Sequence, residues 1–81
     1  MLFNKNTVTG TPRSFHRDGD GGLLVTLHQA DGEDISVFVY DELASQLELL
    51  LFQRRMEKRP VTLTLEYDPR TGRVTNFSIV S

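Results

Sequence analysis

The segment Ile35-Ser36-Val37-Phe38-Val39-Tyr40, ISVFVY, alternates with a period of two. Successive side chains of a strand point to opposite faces, so Ile35, Val37 and Val39 share one side and Ser36, Phe38 and Tyr40 the other. If the aliphatic trio faces the core, two aromatic rings stand on the outside. Residues 34–40 are thus expected to form a half-buried strand, and the elements around it follow from the same kind of pattern.

Upstream, LLVTLHQ is a second strand over about 23–29, joined to the third by the hairpin turn ADGE. NTVTGTPRSFH reads as one long first strand over about 5–16, bent near Gly10, because glycine inside a strand marks a bulge or a sharp curve. Pro12 lacks an N–H and confines that part to an edge or a bend. RDGDGG is a turn or flexible loop. Downstream, helix signals arrive together over about 42–59: Asp41 as the expected N-cap, Glu42 in the first turn, and a run without glycine or proline. Arg54, Arg55, Lys58 and Arg59 load its end, and Pro60 stops it. VTLTLEY (strand about 60–67) alternates with Val61, Leu63, Leu65 and Tyr67 inward, and DPRTG is a hairpin connection. The last strand, about 73–80, is expected to put Phe77 and Ile79 on one face and Val74, Asn76, Ser78 and Val80 on the other.

At 81 residues the chain forms one domain, 1–81, with one modest core. It has no cysteine, which excludes disulfides, thiolate metal sites and cysteine nucleophiles. No apolar run approaches a membrane span, and MLFNKNTVTG lacks the order of a signal peptide, so a cytoplasmic protein is expected. The net charge of −2 argues weakly against life on a phosphate backbone. The charge is split, −4 up to Glu42 and +2 from Leu43 onward, so the surface should carry both signs.

The element order β-β-β-α-β-β, mainly β with one helix, resembles the OB-fold, the five-stranded oligonucleotide/oligosaccharide-binding barrel. The resemblance spans nearly the whole chain and rests on the Gly10 bend, the DGDGG and DPRTG loops and the Asp41–Arg59 helix. No family-specific motif accompanies it. A closed barrel with the helix across one end would also pair otherwise bare sheet edges. Open α+β sheets, and SH3-like barrels with an inserted helix, share the element order.

The resemblance implies a ligand face on strands two and three, flanked by the loops after strands one and four. Thr26 and His28 fall on the outer side with Phe38 and Tyr40. The first loop is expected to add Arg13, Phe15, His16 and Arg17, and the last Arg70 and Arg73. Rings beside guanidinium groups suit single-stranded DNA or RNA, since bases stack on π faces while arginine meets phosphate. Packing alone also accounts for aromatics in strands. Asp18, Asp20, Asp31, Glu33 and Asp34 crowd this side and would weaken binding to phosphate.

A reading of a different class comes from the helix. Leu43, Ala44, Leu47, Leu50 and Leu51 form one apolar arc, and Leu49, Phe52 and Met56 fall on roughly the opposite side. The second arc is a candidate surface for a protein partner or a second copy of the chain, in an adaptor, subunit or inhibitor. The basic run RRMEKR is favourable to the helix dipole, with an anionic partner as its other use. His16 and His28 lie in no catalytic arrangement, and no phosphate cradle occurs. DGDGG lacks the closing Glu of a calcium loop. The expectation is a binding module, not an enzyme, with no cofactor, no metal and no small-molecule substrate indicated by a motif.

Overall fold

The computed structural model describes residues 6–80; the expected start of the first strand at Lys5 lies outside them. The elements run β1 (Asn6–Arg17), β2 (Leu23–His28), β3 (Asp34–Val39), α1 (Asp41–Glu57), β4 (Leu63–Tyr67) and β5 (Val74–Ile79). All ladders are antiparallel and the strands form one sheet in the order β3-β2-β1-β4-β5. The architecture is mainly β with one helix, and its topology is compatible with an OB-like domain. The expected closed barrel is not formed: among the described residues no ladder joins β3 to β5, and the gap is spanned by an isolated parallel bridge from Phe38 to Arg73, the residue before β5.

Bending of β1 organises the sheet. Asn6–Gly10 pairs with β4, and Thr11–Arg17 pairs with β2. Gly10 stands at the corner, where a Cβ would come within 2.6 Å of the His28 carbonyl oxygen, so only glycine lets the two backbones approach this closely. Directly after it the ladder slips. Pro12 faces Leu27 and Ser14 faces Thr26, leaving Arg13 as the extra residue of a bulge, which accommodates a proline that cannot donate to the ladder.

That bulge corrects the expected placement of four residues. Arg13, Phe15, His16 and Arg17 belong to β1 and not to the loop after it. Because one inserted residue exchanges the two faces, Phe15 and Arg17 pair with the core residues Val25 and Leu23, whereas Ser14 and His16 pair with Thr26 and Leu24 on the outer side. A second bulge corrects β5. Asn76 faces Glu66 and Val74 faces Tyr67, leaving Thr75 as the extra residue. Val74 is therefore on the same face as Phe77 and is buried, contrary to the strict alternation expected for this strand.

The core is aliphatic. Leu23, Val25 and Leu27 of β2, Val37 and Val39 of β3, Leu63 and Leu65 of β4, and Ala44, Leu47 and Leu51 of α1 are all buried. No polar side chain among the described residues is buried with them. The first helical arc thus faces the sheet, with Leu43 and Leu50 at its margin. Asp41 does not cap the helix as expected. It is the first helical residue, with φ 61°; Tyr40 occupies the cap position and makes no side-chain cap bond, while the Asp41 carboxylate accepts from Arg73. At the other end the helix stops at Glu57, two residues short of the expected Arg59. Lys58 turns left-handed with φ 55°, and the N–H groups of Lys58 and Arg59 donate to the carbonyls of Arg55 and Arg54. Among the described residues no helix is long and apolar enough to cross a membrane.

Candidate nucleic-acid interface

The register of β2 against β3 decides what the outer face carries. Leu23, Val25 and Leu27 face Val39, Val37 and Ile35 across the ladder, and Leu24, Thr26 and His28 face Phe38, Ser36 and Asp34. The first set is the core side; the second is open to water. Together with the outer residues of β1 this makes cross-strand rows: Ser14-Thr26-Ser36, and His16-Leu24-Phe38. Thr26 and Ser36 hydroxyls are 2.9 Å apart, and His28 Nδ1 lies 2.7 Å from Asp34 Oδ1.

At the β3 end of this face the aromatic rings form a stack. Phe38 is 38% exposed, and its ring is nearly parallel to that of Tyr40, with centroids 6.2 Å apart and 19° between planes. The Arg73 guanidinium lies 4.8 Å from the Tyr40 centroid, a cation–π arrangement. Tyr40 is seated on Gly22: a Cβ there would meet the ring at 2.8 Å, so the absent side chain makes room for it. A flat, partly wetted π surface beside a guanidinium can accept a planar ligand group.

The candidate residues do not all converge. Phe38, Tyr40 and Arg73 come together, and Thr26 and His28 extend the same face. Phe15 and Arg17 stand on the other side, against the helix. The Phe15 ring meets Phe52 edge-on at 5.5 Å, and Arg17 bonds to Glu48 Oε1 at 3.0 Å and to the Gly21 carbonyl at 2.8 Å. Arg70 stays within the β4–β5 turn. His16, expected from the first loop, and Leu24, not singled out from the sequence although the alternation of β2 puts it with Thr26 and His28, complete the outer rows.

Each of the four arginines expected to meet phosphate has a carboxylate beside it. Arg13 is 3.8 Å from Asp34, Arg17 is 3.0 Å from Glu48, Arg70 is 3.5 Å from Asp68 and Arg73 is 2.7 Å from Asp41. Backbone and side-chain hydrogen bonds from Arg70 hold the Asp68 carboxyl below its ordinary pKa. The guanidinium beside the aromatic stack, Arg73, is thus already paired with a carboxylate. No three His, Asp or Glu side chains among the described residues are grouped to hold a metal ion. No protein-family model matches the chain, and neither the curated proteins nor the solved structures yield a match.

Proposed function

We propose that this chain is a non-catalytic, OB-like cytoplasmic module that binds single-stranded DNA or RNA on the outer face of β2 and β3. The observation carrying this reading is the stack of the exposed Phe38 ring on the half-buried Tyr40 ring, with Arg73 against the latter. Bases stack on such rings without regard to sequence, each contributing about 1–3 kcal/mol. Thr26, Ser36, His16 and His28 offer polar groups to the backbone of a strand lying across the sheet. Since Asp41 and Asp34 already pair with Arg73 and Arg13, affinity comes mainly from stacking, and the electrostatic part falls away quickly with added salt.

Fluorescence anisotropy with labelled single strands at low and moderate salt tests it. Binding that weakens on Phe38→Ala and again on Tyr40→Ala is expected; no binding at low salt sinks the proposal.

A second reading, docking of a protein partner or a second copy through α1, is favoured by one observation. Leu49 and Met56 are 60% and 81% exposed on the side of the helix turned away from the core. Phe52, in the same stripe, is partly engaged by Phe15. Light scattering of the native chain and of Met56→Asp distinguishes self-association from a monomer.

A further inference from the structure

The half of β1 beyond the bend and the C-terminal end of α1 enclose a groove of about 360 Å³. Five cationic side chains line it: Arg13 from β1, and Arg54, Arg55, Lys58 and Arg59 from the end of the helix. No carboxylate lines it. Arg13 and Arg59 have carboxylates nearby, Asp34 at 3.8 Å and Glu57 at 3.4 Å. Arg54, Arg55 and Lys58 have none among the described residues. Between the cations the wall is apolar, formed by Phe15, Pro12, Leu51, Pro60 and Val61. Arg55 lies over the Phe15 ring at 4.9 Å, which fixes a guanidinium at the rim of that wall.

The backbone adds an independent sign. Lys58 sits at a left-handed helix end, where glycine costs nothing and a side chain is strained. A residue held in a sparsely populated conformation at the rim of a cationic groove points to a use for its side chain.

From these observations we infer that the groove is a binding site for a phosphate-bearing small molecule of nucleotide size, its phosphates held by Arg54, Arg55 and Lys58 and its ring system against Phe15 and the prolines. The volume lies in the range of small-ligand sites, which run from roughly 300 to 1,000 Å³. Clustered guanidinium forks match the several oxygens and charges of a phosphate chain, whereas a monocarboxylate leaves most of them unmatched. The cations crowd one helix end and form no track, which favours a compact ligand over a long strand. Apart from Arg13, none of the groove residues belongs to the face proposed for nucleic acid, and Phe15 is accounted for here by its inward side of β1.

Calorimetry of the full chain with adenosine triphosphate and with inorganic triphosphate, at low salt and without divalent cations, tests this. The nucleotide is expected to bind, and inorganic triphosphate to bind several-fold more weakly for want of the ring. Arg54→Glu should abolish binding. Lys58→Gly should raise the thermal midpoint while weakening the nucleotide about tenfold. That variant relieves strain, so a loss of binding cannot be ascribed to failed folding. Tyr40→Ala should leave nucleotide affinity unchanged, which separates this site from the outer face. Absence of binding up to about 1 mM ligand, or affinity indifferent to both groove variants, overturns the site. Equal affinity for the two probes overturns the role of the apolar wall. Displacement of the nucleotide by an oligonucleotide lacking a terminal phosphate overturns the small-ligand assignment.

Discussion

At the N-terminal end of α1, Asp41 adopts φ 61° and its carboxylate takes hold of Arg73; at the C-terminal end, Lys58 adopts φ 55° and adds a cation to Arg54 and Arg55. Both ends thus place a non-glycine residue in the left-handed region, with opposite electrostatic results. On the outer face the aromatic stack is flanked by an arginine already paired with Asp41, so the binding proposed there rests on π surface. In the groove Arg54, Arg55 and Lys58 stay unmatched by carboxylates beside an apolar wall, so the site proposed there rests on charge. The two sites proposed above thus lie at opposite ends of one helix and differ in their chemistry.

The largest expected difference between the two regions is in stability. Leu51 is buried and lies at the base of the groove, so Leu51→Ala should cost about 2–5 kcal/mol by urea unfolding. Phe38→Ser, at the exposed stack, should cost less than about 1 kcal/mol. Similar losses would mean that Phe38 is packing the fold and not waiting for a ligand. Next comes binding to a labelled single strand, where Tyr40→Ala should weaken anisotropy titrations by about 1–3 kcal/mol. Gly22→Ala should do so by a smaller amount, since its methyl displaces the ring without removing it. An unaffected affinity in Gly22→Ala would show that the seat of Tyr40 does not matter. Smaller again is Asp41→Asn. Asparagine tolerates the left-handed conformation, and the substitution frees Arg73, so single-strand affinity should rise a few-fold at low salt and return toward native at moderate salt. A fall in affinity would assign Asp41 a positive role.

The smallest effect concerns the β4–β5 turn, which brings Arg73 beside the stack. Asp68 has a lowered pKa through the hydrogen bonds from Arg70. A carboxylate with a lowered folded-state pKa adds stability above its unfolded pKa of about 3.9, and that stability is lost as the pH falls through the lower folded value. Acid unfolding of the native chain should therefore show a slight loss below about pH 4 that Asp68→Asn lacks. Identical acid limbs would deny the turn any linkage to pH.

Legibility in the sequence followed from local rules. ISVFVY alternates, and the register it implied for β3 is the observed one, because burying Val37 and Val39 with Ile35 at the core's margin leaves no other choice of face. DPRTG announced its turn through proline and glycine, and Gly72 is left-handed there at φ 72°. The division of α1 into a buried and an exposed arc came from its 3.6-residue period, with Leu47 buried and Met56 open. Two faces were hidden by a count interrupted by one residue. Arg13 and Thr75 are bulged, and each reverses the faces of the residues beyond it. Phe15, expected from the first loop, lies in β1 on the helix side, and Val74, expected on the outer face, lies in the core.

Alternation, helix-forming composition and turn chemistry act over a few neighbouring residues, so the amino-acid order alone determined the elements, their sequence and most of the core. Three features were decided only in the folded chain: the single bridge between Phe38 and Arg73 in place of a closed barrel, the pairing of arginines with distant carboxylates, and the gathering of cations from β1 and α1 around one groove. Each depends on where residues far apart in sequence come to rest, and the two bulges set that placement through the bend of β1 and the return of β5.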